Sequence, residues 1–235
     1  MLETFLALTL AHLLADFVFQ TGAMVADKRR LDVFSLHIGT VGLLSLIALG
    51  GSWQAALAVT LAHALIDSVK TFALSPRQSQ RLWAFLTDQI AHIASIVLVT
   101  HYWPLSFITG LWGFTSPQIL TPLILAIGFL TATAMGGPIV GGLMQHFPQR
   151  FAIQGLKSAG RMIGLLERAF IFLLILFNSP IGIGFLLTAK SVLRFDTTRK
   201  GQRASEYVII GTLASFGWAM AIAFLTKEAL ALITP

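Results

Sequence analysis

Apolar runs recur along the whole chain, near residues 3–20, 34–50, 54–72, 82–100, 119–145, 161–177, 180–194 and 205–226. Each approaches the roughly 20 apolar residues that a helix needs to cross a bilayer. The pattern predicts an all-α fold, a polytopic helical membrane bundle of about eight transmembrane helices. The sixth and seventh runs could form one long helix, but Asn178-Ser179-Pro180 lies between them. Proline disfavours helical geometry at the residue before it, so this sequence reads as a tight turn between two short helices. In the fifth run, Gly137 and Gly141 make a small-xxx-small pair beside Pro138, predicting close helix packing at a kink.

Charge orients these runs. With the N-terminus outside, the connections that carry Lys28, Arg29 and Arg30, then Lys70, Arg77 and Arg81, then Arg150 and Lys157, all face the cytoplasm. Two crossings between 161 and 194 also bring Lys190, Arg194, Arg199, Lys200 and Arg203 inside and leave Lys227 as the one basic residue outside. A single crossing would invert that stretch against the positive-inside rule. Both termini then lie outside the cytoplasm. The outer connection 101–118 holds Tyr102, Trp103, Trp112 and Phe114, suited to the headgroup layer.

Composition agrees with this reading. Of 235 residues, 56% are hydrophobic and 11% charged, against about 25% charged in soluble domains; mean hydropathy is +0.81. The formal charge of +6 is explained by the cytoplasmic loops, so no nucleic-acid partner is expected. The absence of cysteine excludes disulfides and thiolate ligation. The first run opens Met1-Leu2-Glu3 without a basic leader and carries His12 and Asp16, so it reads as a retained helix rather than a signal peptide.

Residues 9–18 (TLAHLLADFV) and 60–69 (TLAHALIDSV) agree at seven of ten positions, at an offset of 51. The first two helices read as a copy of the third and fourth, a parallel two-helix internal repeat. The chain divides into a His/Asp-bearing membrane region 1–101, an outer aromatic loop 102–118 and a C-terminal membrane region 119–235 of about four helices.

The candidate chemistry lies in the first region: His12, Asp16, His37, His63, Asp67, Asp88 and His92, with Gln20, Gln89 and Lys70 nearby. Ionisable groups at membrane depth are costly and usually face an interior or a cavity. Three His/Asp pairs are spaced i,i+4, which places both side chains on one helix face. The order reverses from His-Asp to Asp-His in the helix of opposite direction. The three histidines thus share one depth and the aspartates another, about 6 Å nearer the cytoplasm. Neutral imidazole with carboxylate suits a divalent ion such as Zn, Mn, Fe or Ni. A proton or substrate relay and a purely structural hydrogen-bond network use the same residues. A second polar group, Glu167, Arg168, Lys190 and Arg194, maps to the cytoplasmic third. It reads as helix-end snorkelling with a Glu167 pair to Lys190 or Arg194, or as an anion-binding rim.

The run His12-Leu13-Leu14-Ala15-Asp16-Phe17 with Gln20, then His37, then His63-Ala64-Leu65-Ile66-Asp67 with Lys70, then Asp88-Gln89 with His92, resembles a bacterial membrane family catalogued as domain of unknown function 3307. The resemblance covers about residues 1–100 and implies that these polar positions belong to a family pattern; it implies no chemistry.

The function expected from these residues is a metal-dependent enzyme of the bacterial inner membrane, a hydrolase or transferase. Its substrate would be a phosphate-bearing small molecule or a lipid-linked compound. His12, His37, His63, His92 and the aspartates would bind a divalent ion, and Asp16, Asp67 or Asp88 would activate water. Gln20, Lys70, Gln89, Glu167, Arg168, Lys190 and Arg194 would line the substrate. A transporter or ion- or proton-coupled carrier using the same residues, and a structural membrane subunit, are the alternatives. The sequence carries no HExxH, GxSxG or P-loop pattern, and it leaves the oligomeric state open.

Overall fold

In lipid, every backbone N–H and C=O needs an internal partner, which makes long apolar segments helical. The computed structural model describes residues 1–147, 159–193 and 202–233, and every regular element among the described residues is helical. Six stretches are long and apolar enough to cross a membrane: Leu2–Phe19, Leu31–Ala48, Trp53–Ala73, Leu82–Tyr102, Leu120–Met144 and Ser205–Ala231.

The chain forms two compact units, Met1–Leu130 and Thr131–Pro235. In the first, α1 (Leu2–Leu14) runs into a π turn (Ala15–Phe19), and a short α2 (Gly22–Ala26) leads to α3 (Leu31–Ala48). α4 (Trp53–Ser68) likewise ends in a π turn (Val69–Ala73); a one-turn α5 (Pro76–Ser79) leads to α6 (Leu82–Tyr102). Thr21 and Ser75 cap the two short helices: their side-chain oxygens accept from Met24 N and Gln78 N, and Gln78 completes a capping box. α1 packs on α3, α6 and α7 (Leu120–Leu130), and α4 packs on α3 and α6.

One end of this bundle is closed by residues 103–118. Thr4 Oγ1 donates to Pro104 O at 3.0 Å and accepts from Phe107 N at 3.2 Å. Trp112 Nε1 donates to Ile47 O at 2.6 Å, Leu111 N donates to Gly50 O at 2.9 Å, and Ser116 Oγ donates to Glu3 at 2.8 Å. Gly50 makes the turn between α3 and α4 at φ 58°, and a methyl group there would collide with the Leu111 backbone. Beneath the closure lies an apolar layer that includes Leu8, Leu49, Val59, Ile96, Val99 and Phe107.

In the second unit, a π turn (Thr131–Met135) precedes α8 (Gly136–Met144), and the long α11 (Gln202–Ala231) packs on α9 (Ala159–Leu176). Their core contains Ala132, Ile171, Phe172, Phe216 and Ala219. A π turn interrupts the regular carbonyl ladder, and side chains meet the carbonyls here. Trp218 Nε1 donates to Thr131 O at 3.0 Å, and Arg168 Nε and Nη2 donate to Thr133 O at 3.1 and 2.9 Å. The close approach falls at Gly136 rather than at the expected Gly137 and Gly141. A methyl group at 136 would lie 2.8 Å from Trp218 and 2.9 Å from Arg168, whereas 137 would meet only Arg168 Nη2 at 3.7 Å and 141 nothing.

Between the expected sixth and seventh spans, α9 stops at Leu176 and α10 (Ile181–Leu193) begins after a turn in which Asn178 adopts φ 54°. α9 carries Arg161, Glu167 and Arg168, and α10 has 13 residues. At 1.5 Å per residue the described part of α10 spans about 20 Å, against the roughly 30 Å hydrocarbon core. The difference between six and eight crossings lies in this pair.

Candidate metal centre

Four helices of the first unit bring seven ionisable side chains to one buried place. His12, His37, His63, Asp67, Asp88 and His92 are all buried, and the Asp16 side chain is 8% exposed. The histidine rings gather closely: His63 stacks on His92 with centroids 4.0 Å apart, and His12 lies 4.9 Å from His92 and 5.5 Å from His63. His37, from α3, closes the group at 5.3 Å from His63.

The finest geometry is at the carboxylate side. His37 Nε2 and His63 Nε2 are 3.2 Å apart. Asp16 Oδ1 lies 3.4 Å from the first and 3.5 Å from the second. Asp67 Oδ2 lies 3.2 and 3.4 Å from the same two nitrogens. Ligands on arms of about 2.0–2.1 Å around a tetrahedral ion are separated by about 3.4 Å. These five separations have that length. Each nitrogen and carboxylate oxygen here is an acceptor unless it carries a proton, and the Lys28 ammonium meets one of them, Asp67 Oδ2, at 2.7 Å.

Neighbours orient the remaining ligand atoms. Lys70 Nζ donates to Asp88 Oδ2 at 2.8 Å, and Gln89 Nε2 donates to the same oxygen at 3.1 Å. The Gln89 amide must therefore present Oε1 to His12 Nε2, 3.2 Å away. A neutral His12 then carries its proton on Nε2 and turns the Nδ1 lone pair toward Asp16 Oδ2 at 3.8 Å. Asp88 keeps Oδ1 free, 3.6 Å from His92 Nε2. Buried atoms left without a hydrogen-bond partner include His12 Nδ1, Asp16 Oδ1, Asp88 Oδ1 and both ring nitrogens of His92. Buried polar atoms are rarely left unsatisfied, and here they converge. Three sets of ligand atoms lie within 4.8 Å of one another: His12, His63 and His92; Asp16, His37 and His63; Asp67, Asp88 and His92.

The other expected site residues divide between the units. Gln20 follows the first π turn, and its Nε2 is buried without a partner. Lys70 and Gln89 are joined to Asp88 as described. Glu167 accepts from Lys190 Nζ at 2.7 Å in the second unit. Arg168, 5% exposed, directs its N–H groups to Thr133 O and to Ser215 Oγ (3.2 Å). Arg194 lies outside the described residues. One member of the site escaped sequence reasoning: Lys28, from the connection before α3, places Nζ 2.7 Å from Asp67 Oδ2. Its run of basic residues read as a loop charge, and nothing in its spacing marked it as the partner of a carboxylate 39 positions on.

The polar cluster has one apolar and one charged side. Leu8, Val59 and Ile96, each one turn from His12, His63 and His92 toward the closed end, are 1%, 5% and 1% exposed. Asp16, Asp67 and Asp88 face the opposite end, with Lys28 and Lys70.

These features define a helical membrane protein whose buried His/Asp groups can hold a metal ion. Residues 4–115, which contain all seven of these side chains, match the family described as Protein of unknown function (DUF3307), as the pattern of His, Asp and Gln led one to expect. No curated protein and no solved structure matches the chain.

Proposed function

We propose that the first unit is the divalent-metal centre of an enzyme of the bacterial inner membrane, acting on a phosphate-bearing or lipid-linked substrate that reaches it from the cytoplasm. The observation that carries this reading is the set of ligand-length separations among Asp16, His37, His63 and Asp67. A divalent ion held there would supply Lewis acidity and a bound water acidic enough to act near neutral pH. His12 Nδ1, with its other nitrogen tied to Gln89, is placed to accept a proton beside Asp16. Lys28 and Lys70 each spend one donor on a carboxylate, and an ammonium has three. Their remaining N–H groups would hold an anionic group at the open side.

Elemental analysis of the purified protein, wild type beside His63→Ala, tests the metal. We expect stoichiometric Zn, Mn, Fe or Ni in the wild type and a clear loss of metal in the variant. A chelator should lower the melting temperature of the wild type by more than that of the variant, since an ion at 100 times its dissociation constant contributes about 2.7 kcal/mol. Metal-dependent release of phosphate from a long-chain phosphate ester in detergent tests the enzyme. Metal-free protein that melts identically with and without chelator, and gains no stability from any of the four ions, would refute the reading.

A further inference from the structure

A single ion among Asp16, His37 and His63 leaves the other half of the cluster unexplained. His92 is 1% exposed and neither ring nitrogen has a hydrogen-bond partner. Asp88 Oδ1 is equally buried and unpartnered, although Asp88 Oδ2 is held firmly by Lys70 and Gln89. That division of labour, with one oxygen tethered by neighbours and the other left bare, is how outer residues orient a metal-ligating carboxylate. The bare oxygen lies 3.6 Å from His92 Nε2. The third atom of this group comes from Asp67, whose Oδ1 lies 4.0 Å from His92 Nε2.

Asp67 is also the residue whose Oδ2 faces His37 and His63 at 3.2 and 3.4 Å. Its carboxylate thus stands between two ligand sets with one oxygen turned to each. Lys28 on Oδ2 does not block this, because a carboxylate oxygen has two lone pairs and can accept from an ammonium while binding an ion.

We propose that the centre holds two divalent ions bridged by Asp67, the first with Asp16, His37 and His63, the second with Asp88 and His92. This rests on the metal reading above and deepens it. Three carboxylates set against two ammonium groups and two divalent ions leave the loaded centre net positive. An incoming phosphate would offset that charge, and paired ions clamp both the attacking and the leaving oxygen of a phosphoryl group.

Manganese serves as the probe. Purified full-length protein is stripped with chelator, loaded with Mn(II), desalted and analysed for Mn per chain and by electron paramagnetic resonance. The wild type should retain two Mn per chain and show the multiline signal of an exchange-coupled pair. His92→Ala and Asp88→Asn should each halve the Mn content and leave the simple hyperfine sextet of an isolated ion, because the ligands of the first site are untouched. Asp67→Asn should abolish coupling at any loading. One Mn per chain with a sextet in the wild type would overturn the bridge while leaving the metal reading standing; no bound Mn would overturn the bridge, and no stabilisation by Zn, Fe or Ni either would overturn the metal reading with it. The wild-type result decides the matter even where a variant fails to fold.

Discussion

Lys70 and Asp88 show how much of this site is set by single residues. The Asp88 side chain is 3% exposed and that of Lys70 23%, so the pair is largely withdrawn from water. Removing one partner of a buried pair strands the other charge. Lys70→Met should therefore lower stability in detergent by about 3 kcal/mol, the lower end for such pairs because Lys70 keeps some contact with solvent. In chelator-stripped protein, adding Asp88→Leu should recover most of the loss, and thermal melting of both variants checks the pair. At this scale the sequence was readable where spacing carries information: the three i,i+4 His/Asp pairs announce themselves. Tertiary partners were not readable. Lys28 meets Asp67, and Arg168 turns inward to a carbonyl, because the fold brings distant positions together, and neither event leaves a local mark.

The helices themselves were legible from apolar length, and Pro180 revealed the break before α10. The three π turns were not, since a turn widened by one residue has no composition of its own. Two of them terminate helices that bear site residues, and Asp16 lies within one; π turns are frequent at functional sites. Spacing arguments that assume regular α geometry therefore describe Asp16 only approximately. The connection between α3 and α4 is tightly constrained at Gly50. Gly50→Ala would force a methyl group against the Leu111 backbone at a left-handed φ of 58°. The expected loss is about 2 to 5 kcal/mol, from overpacking and backbone strain together. Gly51→Ala, at φ 92° but facing open space, should show only the smaller conformational part. Comparing the melting of these neighbours separates the two causes.

For the molecule as a whole, the lack of cysteine makes orientation simple to test, because an introduced thiol stands alone. With the N-terminus outside, Thr109→Cys should react with a membrane-impermeant maleimide on intact cells, and Asp27→Cys should react only after lysis. The reverse pattern would turn the whole arrangement over. The closure by residues 103–118 and the dry layer of Leu8, Val59 and Ile96 carry a further implication. Packed side chains and the hydrogen bonds to Thr4, Ile47 and Gly50 lie on one side of the His/Asp cluster, which leaves the side of Lys28 and Lys70 as the approach for a ligand of the proposed centre. A ligand that entered there would leave by the same door. In the enzyme proposed above, product and substrate would then share one threshold, and release of the first would make room for the second.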